Sequence, residues 1–165
     1  MSQNTLIGRA AVLEELAEHP AVKAVLSWKP DALIDAKFDR GELTLTIAAG
    51  EIRAAATTVQ AAGYNFFEDV TAVDWFPSSP RFQLSYHIVS HTCKERIRMR
   101  VMVDGNAPAV ESITSVWPAA NFYEREVFDL FGIIFEGHPD LRRIMMPDEW
   151  QGHPLRKDYP VEGYR

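Results

Sequence analysis

The feature that most constrains the fold is an alternation of basic and apolar residues over 96–101, RIRMRV, which is followed by the apolar pair Met102-Val103. It gives an apolar set of Ile97, Met99, Val101 and Val103, and a basic set of Arg96, Arg98 and Arg100. Because successive side chains of an extended chain point to opposite faces, the pattern predicts a half-buried strand in a sheet. One face of that sheet must pack on a core, whereas the other must meet water or a partner.

Further strand and helix patterns surround this stretch. The predicted strands are 31–38, 42–48, 65–76, 81–91 and 96–105. The predicted helices are 5–19 (closed by Pro20), 50–62 (ended by Gly63), 108–116, and 119–131 (ended by Gly132). A tight turn at 39–41 joins the first two strands. This order predicts an α+β fold in which helices pack on one face of a mostly antiparallel sheet.

The helical and strand periodicities end at Gly132. Residues 132–165 contain four prolines and four glycines, yet they also contain Ile, Leu, Met, Trp and Tyr. A disordered tail would be poorer in such large apolar residues. The sequence therefore predicts two parts, an α+β domain over 1–132 and an extended C-terminal docking arm over 133–165 whose apolar side chains need a surface to cover.

Charge and cysteine content exclude several classes of protein. The net charge of −6 argues against general nucleic-acid binding, which needs a surplus of Lys and Arg. A lone cysteine, Cys93, cannot supply the cysteine sets that hold iron–sulfur clusters or structural zinc. No apolar run approaches the roughly 20 residues of a membrane-spanning helix, and the N-terminus lacks the pattern of a secretory signal. We expect a soluble, cytoplasmic protein that reaches a membrane only through a partner.

The predicted helix 119–131 carries four charged residues, Glu124, Arg125, Glu126 and Asp129. Glu126 and Asp129 are helical neighbours, and two close carboxylates can divide acid and base roles. Alternatively, Arg125 can pair with Asp129 along one face, and the acids can anchor arginines of the arm. No nucleophile or metal-binding cluster accompanies the acids, which favours the structural interpretation.

The arm contains Gly-His-Pro twice, and this places His138 and His153 at two predicted bends. Gly lets the backbone turn sharply, and Pro restricts the preceding residue to extended geometry. The two histidines are 15 positions apart in non-helical chain, without the short spacing of a zinc motif. A metal site and a catalytic base stay open as alternatives, but a hydrogen-bonded bracket at each bend fits the pattern better.

Between and after the bends lie residues suited to a protein interface. Four basic side chains can reach acidic groups: Arg142, Arg143, Arg156 and Lys157. Five apolar side chains can be buried: Leu141, Ile144, Met145, Met146 and Trp150. Arg, Met and Trp with few lysines is the mixture enriched at protein interfaces. The arm is therefore predicted to dock on another surface.

A long motif covers residues 124–147, EREVFDLFGIIFEGHPDLRRIMMP, and continues at 150–160 as W-QGHPLRKDYP. It closely resembles the signature of the C subunit of NADH-quinone oxidoreductase, the thirty-kilodalton subunit family of respiratory complex I. The resemblance implies a place in the peripheral arm, in the quinone-reducing module, packed beside subunits D and B on the cytoplasmic side of the inner membrane. The complex passes electrons from NADH through FMN and iron–sulfur clusters to quinone and pumps protons. The resemblance also implies that those cofactors belong to the partner subunits, and that this chain holds none and supplies no catalytic residue.

The same resemblance implies that the charged helix and the arm contact other subunits. The residues that match are Glu124, Arg125, Glu126, Asp129, His138, Arg142, Arg143, Trp150, His153, Arg156, Lys157 and Asp158. Related subunits occur in membrane-bound hydrogenases, in formate hydrogenlyase and in ferredoxin-dependent complexes, and the sequence does not decide the electron donor. A metal-dependent hydrolase built on His138 and His153, and a free-standing adaptor, are the remaining hypotheses.

Overall fold

A five-stranded sheet forms the centre of the structure, a computed structural model that describes residues 14–162. Its strands are β1 (Leu33–Asp39), β2 (Glu42–Ile47), β3 (Phe66–Asp74), β4 (Phe82–Ser90) and β5 (Glu95–Val103). They lie in the order β1-β2-β5-β4-β3. The pairing of β2 with β5 is parallel and the other three pairings are antiparallel, which confirms the predicted mostly antiparallel sheet.

The alternation in β5 has the predicted consequence. The side chains of its predicted apolar set, Ile97 to Val103 at every second position, are buried, and those of Arg96, Arg98 and Arg100 lie partly exposed on the opposite face. On the flanking strand β2, Leu43 and Leu45 are buried in register with Ile97 and Met99. The sheet therefore has one core face and one open face, which is the arrangement that period-two patterning requires.

Within residues 14–162, the helices that cover the core face are α1 (Pro20–Trp28), α2 (Ile52–Ala61) and α3 (Ala120–Phe131). Their buried side chains form one cluster with the inward side chains of the strands. The predicted helices 50–62 and 119–131 are confirmed. Gly132 ends α3 with a φ of 71°, in the left-handed conformation that glycine adopts at low cost. None of the helices in the part of the chain that the structure describes is long and apolar enough to cross a membrane.

The structure differs from two local predictions, at Pro20 and at residues 108–116. Pro20 begins helix α1, where its missing N–H costs nothing, and the predicted helix 5–19 lies mostly outside the described residues. The predicted helix 108–116 is wrong, because residues Ala109–Glu111 form strand β6 instead. β6 pairs in parallel with β7 (Ile134–Glu136), a partner that follows Gly132. Local propensity could not reveal a strand whose hydrogen-bonding partner lies beyond the next helix.

Candidate interface of the C-terminal segment

Residues 137–162, here called the C-terminal segment, pass over helix α3 and are tied to it by the Asp129 side chain. Asp129 is fully buried, and its Oδ1 lies 2.6 Å from Nη1 of Arg143. Its Oδ2 accepts the backbone N–H groups of Ile144, Met145 and Met146 at 3.0, 2.7 and 2.8 Å. Burial alone would raise the pKa of Asp129, but these donors outweigh it and lower the pKa. One carboxylate thus fixes a sharp bend of the segment.

Arg125 holds the same stretch from another position on α3. Its Nε and Nη2 donate to the backbone carbonyls of Arg142 and Arg143, at 3.2 and 3.1 Å. The predicted ion pair between Arg125 and Asp129 is not formed; the carboxylate of Asp129 pairs with Arg143. The expectation that an acid of this helix anchors an arginine of the arm is confirmed for that pair.

Glu124 points away from the C-terminal segment and into the protein. It is fully buried and accepts hydrogen bonds from Ser112 Oγ at 2.6 Å and from the Ile113 N–H at 2.8 Å. Burial raises its pKa to about 7, although both hydrogen bonds act to lower the pKa. Glu126 is on the outer side of the same helix, and the oxygens of Asp129 are occupied by four donors. The geometry of Glu126 and Asp129 therefore does not fit an acid–base pair.

Both histidines of the Gly-His-Pro repeats bracket the backbone. His138 Nδ1 accepts the Asp140 N–H at 3.0 Å, which leaves Nε2 to donate to the carbonyl of Asn121 at 3.2 Å. His153 Nδ1 donates to the Asp129 carbonyl at 2.8 Å. Burial lowers the pKa of His153, and the nearby Arg156 and Arg143 act in the same direction. Within residues 14–162, no three His, Cys, Asp or Glu side chains are placed together to hold a metal ion.

The far end of the segment is tied to the sheet by a second clamp, centred on Arg81. Its guanidinium donates to both oxygens of Asp74, at 2.9 and 2.7 Å, and to both oxygens of Asp158, at 2.8 and 2.6 Å. Asp74 also accepts the backbone N–H of Lys157 at 2.9 Å. Burial would raise the pKa of Asp74, but the hydrogen bonds from Arg81, Lys157 and Phe76 outweigh it and lower the pKa to about 2.

Sequence reasoning found Asp158 but missed Arg81 and Asp74. One signal was available for Asp74, because it shares the inward phase of β3 with Val70 and Ala72. A carboxylate at a core-facing strand position needs charged or hydrogen-bonding partners, so this pattern indicates a basic side chain nearby. Arg81 carries no comparable signal, since it lies in the connection between β3 and β4.

Arg156 and Leu155 complete the attachment. Arg156 Nε donates to the Phe131 carbonyl at 2.6 Å, and its guanidinium lies 5.3 Å from the ring centroid of Phe82. The Leu155 N–H donates to the Leu130 carbonyl at 3.1 Å. These carbonyls belong to the last turn of α3, where backbone acceptors have no partner within the helix. The segment therefore satisfies the end of α3.

The segment exposes large apolar side chains in addition to charged ones. Met145 is 62% exposed, Leu155 52%, and Ile144 and Trp150 39% each; these four residues are called the apolar strip. Arg142 is also turned outward, and it pairs with Asp140 on the same loop at 2.8 Å. Several large apolar side chains exposed along one short segment are typical of a surface that another protein covers.

Comparison with known proteins identifies the family. The family model described as respiratory-chain NADH dehydrogenase, 30 Kd subunit, matches residues 45–165. The C subunit of NADH-quinone oxidoreductase from Roseiflexus sp. (strain RS-1) is 42% identical over 158 residues, which cover 94% of this chain and 86% of the relative. The corresponding subunit of Geotalea uraniireducens (strain Rf4) is 44% identical over 133 residues, 80% of this chain and 81% of the relative.

Solved structures agree with the sequence relatives. A trypsin-resistant fragment of Nqo5 superposes with a TM-score of 0.64 at 32% identity, covering 73% of this chain and 99% of that fragment. A chain of the membrane-bound sulfane sulfur reductase, an archaeal respiratory membrane complex, superposes with a TM-score of 0.75 at 26% identity, covering 85% of this chain and 84% of that one. The chain therefore belongs to the 30-kDa subunit family of the respiratory-chain NADH dehydrogenase.

Proposed function

We propose that this chain is a cofactor-free structural subunit of a proton-translocating NADH-quinone oxidoreductase, and that its C-terminal segment docks on partner subunits. The observation that carries the proposal is the apolar strip, which is held outward on an ordered segment. The Asp129 and Arg81 clamps fix the path of the segment before any partner binds. Pre-organised segments lose less conformational entropy on association, so such a surface suits docking.

The partners in this proposal are subunits D and B of the quinone-reducing module. The electron carriers FMN and the iron–sulfur clusters, together with the quinone site, belong to partner subunits. The residues predicted to meet partners differ in their proposed roles. Arg142 and Trp150 are exposed and can contact a partner directly, whereas Asp129, Arg143 and His153 act by shaping the segment. Glu124 acts only on the packing of α3.

Assembly in cells tests the docking role. The double variant Met145→Glu/Trp150→Ala should reduce co-purification of subunits D and B at least about fivefold, because it removes the apolar contact area. The NADH–quinone activity per assembled complex should stay unchanged. Phe38→Ala is the matched control, since Phe38 is similarly exposed, at 54%, but lies on β1. Full assembly combined with selective loss of turnover would refute the proposal and support a catalytic role.

A second candidate function places the chain in a related membrane complex with a different electron donor or acceptor. The structural similarity to a chain of the membrane-bound sulfane sulfur reductase favours keeping this alternative. Membrane-bound hydrogenases and ferredoxin-dependent complexes belong to the same alternative. Affinity purification through this chain distinguishes them, because an NADH-oxidising, FMN-containing protein should co-purify only in the first case.

The proposed location is the cytoplasmic side of the inner membrane, where the chain is held peripherally by its partners. Protease protection in membrane vesicles tests it. The chain should be digested in inside-out vesicles and protected in right-side-out vesicles. Digestion in right-side-out vesicles would place the chain on the opposite side of the membrane.

A further inference from the structure

The open face of the central sheet carries a concave pocket of about 440 Å³, lined by residues of β1, β2, β4, β5 and the β1–β2 turn. Its charged lining comprises five basic side chains, those of Lys37, Arg40, Arg96, Arg98 and Arg100. Among the described residues, two acidic side chains, those of Asp39 and Glu42, accompany them in the lining. The pocket is thus a basic surface on a chain whose net charge is −6. Basic charge is concentrated where three arginines of β5 face outward together.

Part of this charge is balanced within the pocket. Glu42 accepts a hydrogen bond from Arg96 Nε at 2.8 Å and pairs with Arg98 through its other oxygen. Arg98 Nε also donates to His87 Nε2 at 3.0 Å, and His87 Nδ1 lies 2.6 Å from Asp69. The shared use of Glu42 orients both guanidinium groups. Glu68 adds a longer contact, 3.5 Å from Arg96 Nη1, so Arg96 and Arg98 have two carboxylate partners between them.

Arg100 has neutral partners. Its Nε and Nη2 donate to the same hydroxyl, Thr46 Oγ1, at 3.2 and 2.8 Å. No ion pair to Arg100 is found among the residues 14–162 that the structure describes. A guanidinium carries five N–H donors in a rigid fork that matches a carboxylate. Arg100 is therefore oriented by Thr46 and can still bind an acidic group.

We propose that this pocket receives a short acidic segment of a neighbouring protein subunit, with Asp or Glu side chains that pair with Arg100 and with the outer edges of Arg96 and Arg98. The inference rests on the proposed function, since it takes the neighbour from the same complex. It defines a second interface, on the layer opposite to the helices, separate from the apolar strip. Complementary charge at such a site mainly sets the partner's identity and register.

Other occupants fit less well. Residues 1–13 and 163–165 of this chain contain no Asp or Glu, so they offer no acidic side chain to the pocket. An anionic membrane surface is recognised by clusters of Lys or Arg, commonly with large apolar side chains beside them that enter the lipid. Among the described residues, the lining includes two carboxylates and no large apolar side chain, and the chain as a whole is acidic. The planar fork of arginine pairs bidentately with a carboxylate, which an acidic protein segment supplies.

Photo-crosslinking in the assembled complex tests the proposal. Gln83 lies in the pocket lining and can be replaced by p-benzoylphenylalanine, in cells whose only copy of this protein is the altered chain. The expected product is a crosslink to a peptide of another subunit that contains more acidic than basic residues. Adding Arg100→Gln should lower the crosslink yield at least about fivefold, because the carboxylate loses its fork-shaped partner. Lys23→Gln, an equal charge loss on α1, should leave the yield unchanged.

The outcomes separate this inference from the proposed function. If partner subunits co-purify but the crosslink falls on lipid, on an apolar or basic peptide, or on nothing, the acidic-segment proposal is overturned. If no subunits co-purify with the unaltered chain, the proposed function itself fails. Raising the salt concentration from about 0.05 M to about 0.5 M should also weaken the crosslink, since exposed charge pairs are screened. A salt-insensitive crosslink would contradict an electrostatic site even if Arg100→Gln misfolds.

Discussion

Arg81 and Asp158 are 77 positions apart in the chain and form two hydrogen bonds, at 2.8 and 2.6 Å. The same guanidinium holds the buried Asp74 and lies 4.9 Å from the ring centroid of Phe82. This single side chain therefore joins the edge of the sheet to the end of the C-terminal segment. Loss of the Arg81 side chain should therefore release the end of the segment from the sheet.

Arg81→Ala should release the end of the segment and destabilise the fold. The change leaves Asp74, 2% exposed, without its ionic partner, and breaking a buried pair costs about 3–5 kcal/mol. Asp158→Asn should cost about 1 kcal/mol or less, because Asp158 is 43% exposed. Urea unfolding gives the stabilities, and limited proteolysis reports release of the segment. Equal effects of the two variants would contradict the central role of Arg81.

Arg143→Ala and Arg142→Ala should differ, although the residues are adjacent. Arg143 pairs with the fully buried Asp129, so its loss should cost about 3 kcal/mol and expose the segment to protease. Arg142 is 68% exposed and pairs on the surface with Asp140, so its loss should cost less than about 1 kcal/mol. If Arg142 contacts a partner, Arg142→Ala should lower assembly without lowering the stability of the isolated chain. A stability loss as large as that of Arg143→Ala, measured by urea unfolding, would refute this division.

Gly132→Ala should destabilise the protein more than Gly41→Ala. Both glycines have positive φ, 71° and 81°, so each substitution brings backbone strain of about 1 kcal/mol. A Cβ at position 132 would also lie 2.5 Å from Cδ2 and Nε2 of His153, whereas one at position 41 meets nothing within 4 Å. Thermal unfolding of both variants measures the difference. Adding His153→Ala to Gly132→Ala should recover part of the loss, and no recovery would show that the clash is not its cause.

Glu124 should make the protein less stable as the pH rises towards 7. Burial raises its folded-state pKa from 4.5 to about 7, so between these values the folded state binds a proton that the unfolded state has released. The free energy of unfolding then falls with increasing pH, by on the order of 3 kcal/mol across the interval. Glu124→Gln should remove this slope in urea unfolding between about pH 5 and about pH 8.

Glu126→Gln is the matched control for that measurement. Glu126 lies on the outer side of the same helix, so this variant should keep the pH slope of the unaltered protein. A slope that persists in Glu124→Gln would assign the pH dependence to other groups.

The sequence by itself determined the elements whose signals are local. The alternation of β5 predicted its two faces, the helix 119–131 and its end at Gly132 were correct, and the motif of 124–160 led to the family. The direction of each side chain along a strand or helix is set by the local backbone period, so the spacing of apolar residues over a few positions indicates which face is buried. That is why the apolar and basic faces of the sheet could be read directly.

Only the tertiary structure decided which distant residues meet. It placed β5 beside β2, made 109–111 a strand by pairing it with β7, and directed Asp129 to Arg143 and not to Arg125. It also brought Arg81 to Asp158, and left Arg100 facing a pocket with Thr46 as its hydrogen-bond partner. Such contacts depend on strand order and on the path of the chain around the core. Neither is encoded in the spacing of neighbouring residues, because the pairing energy arises only after the sheet has formed.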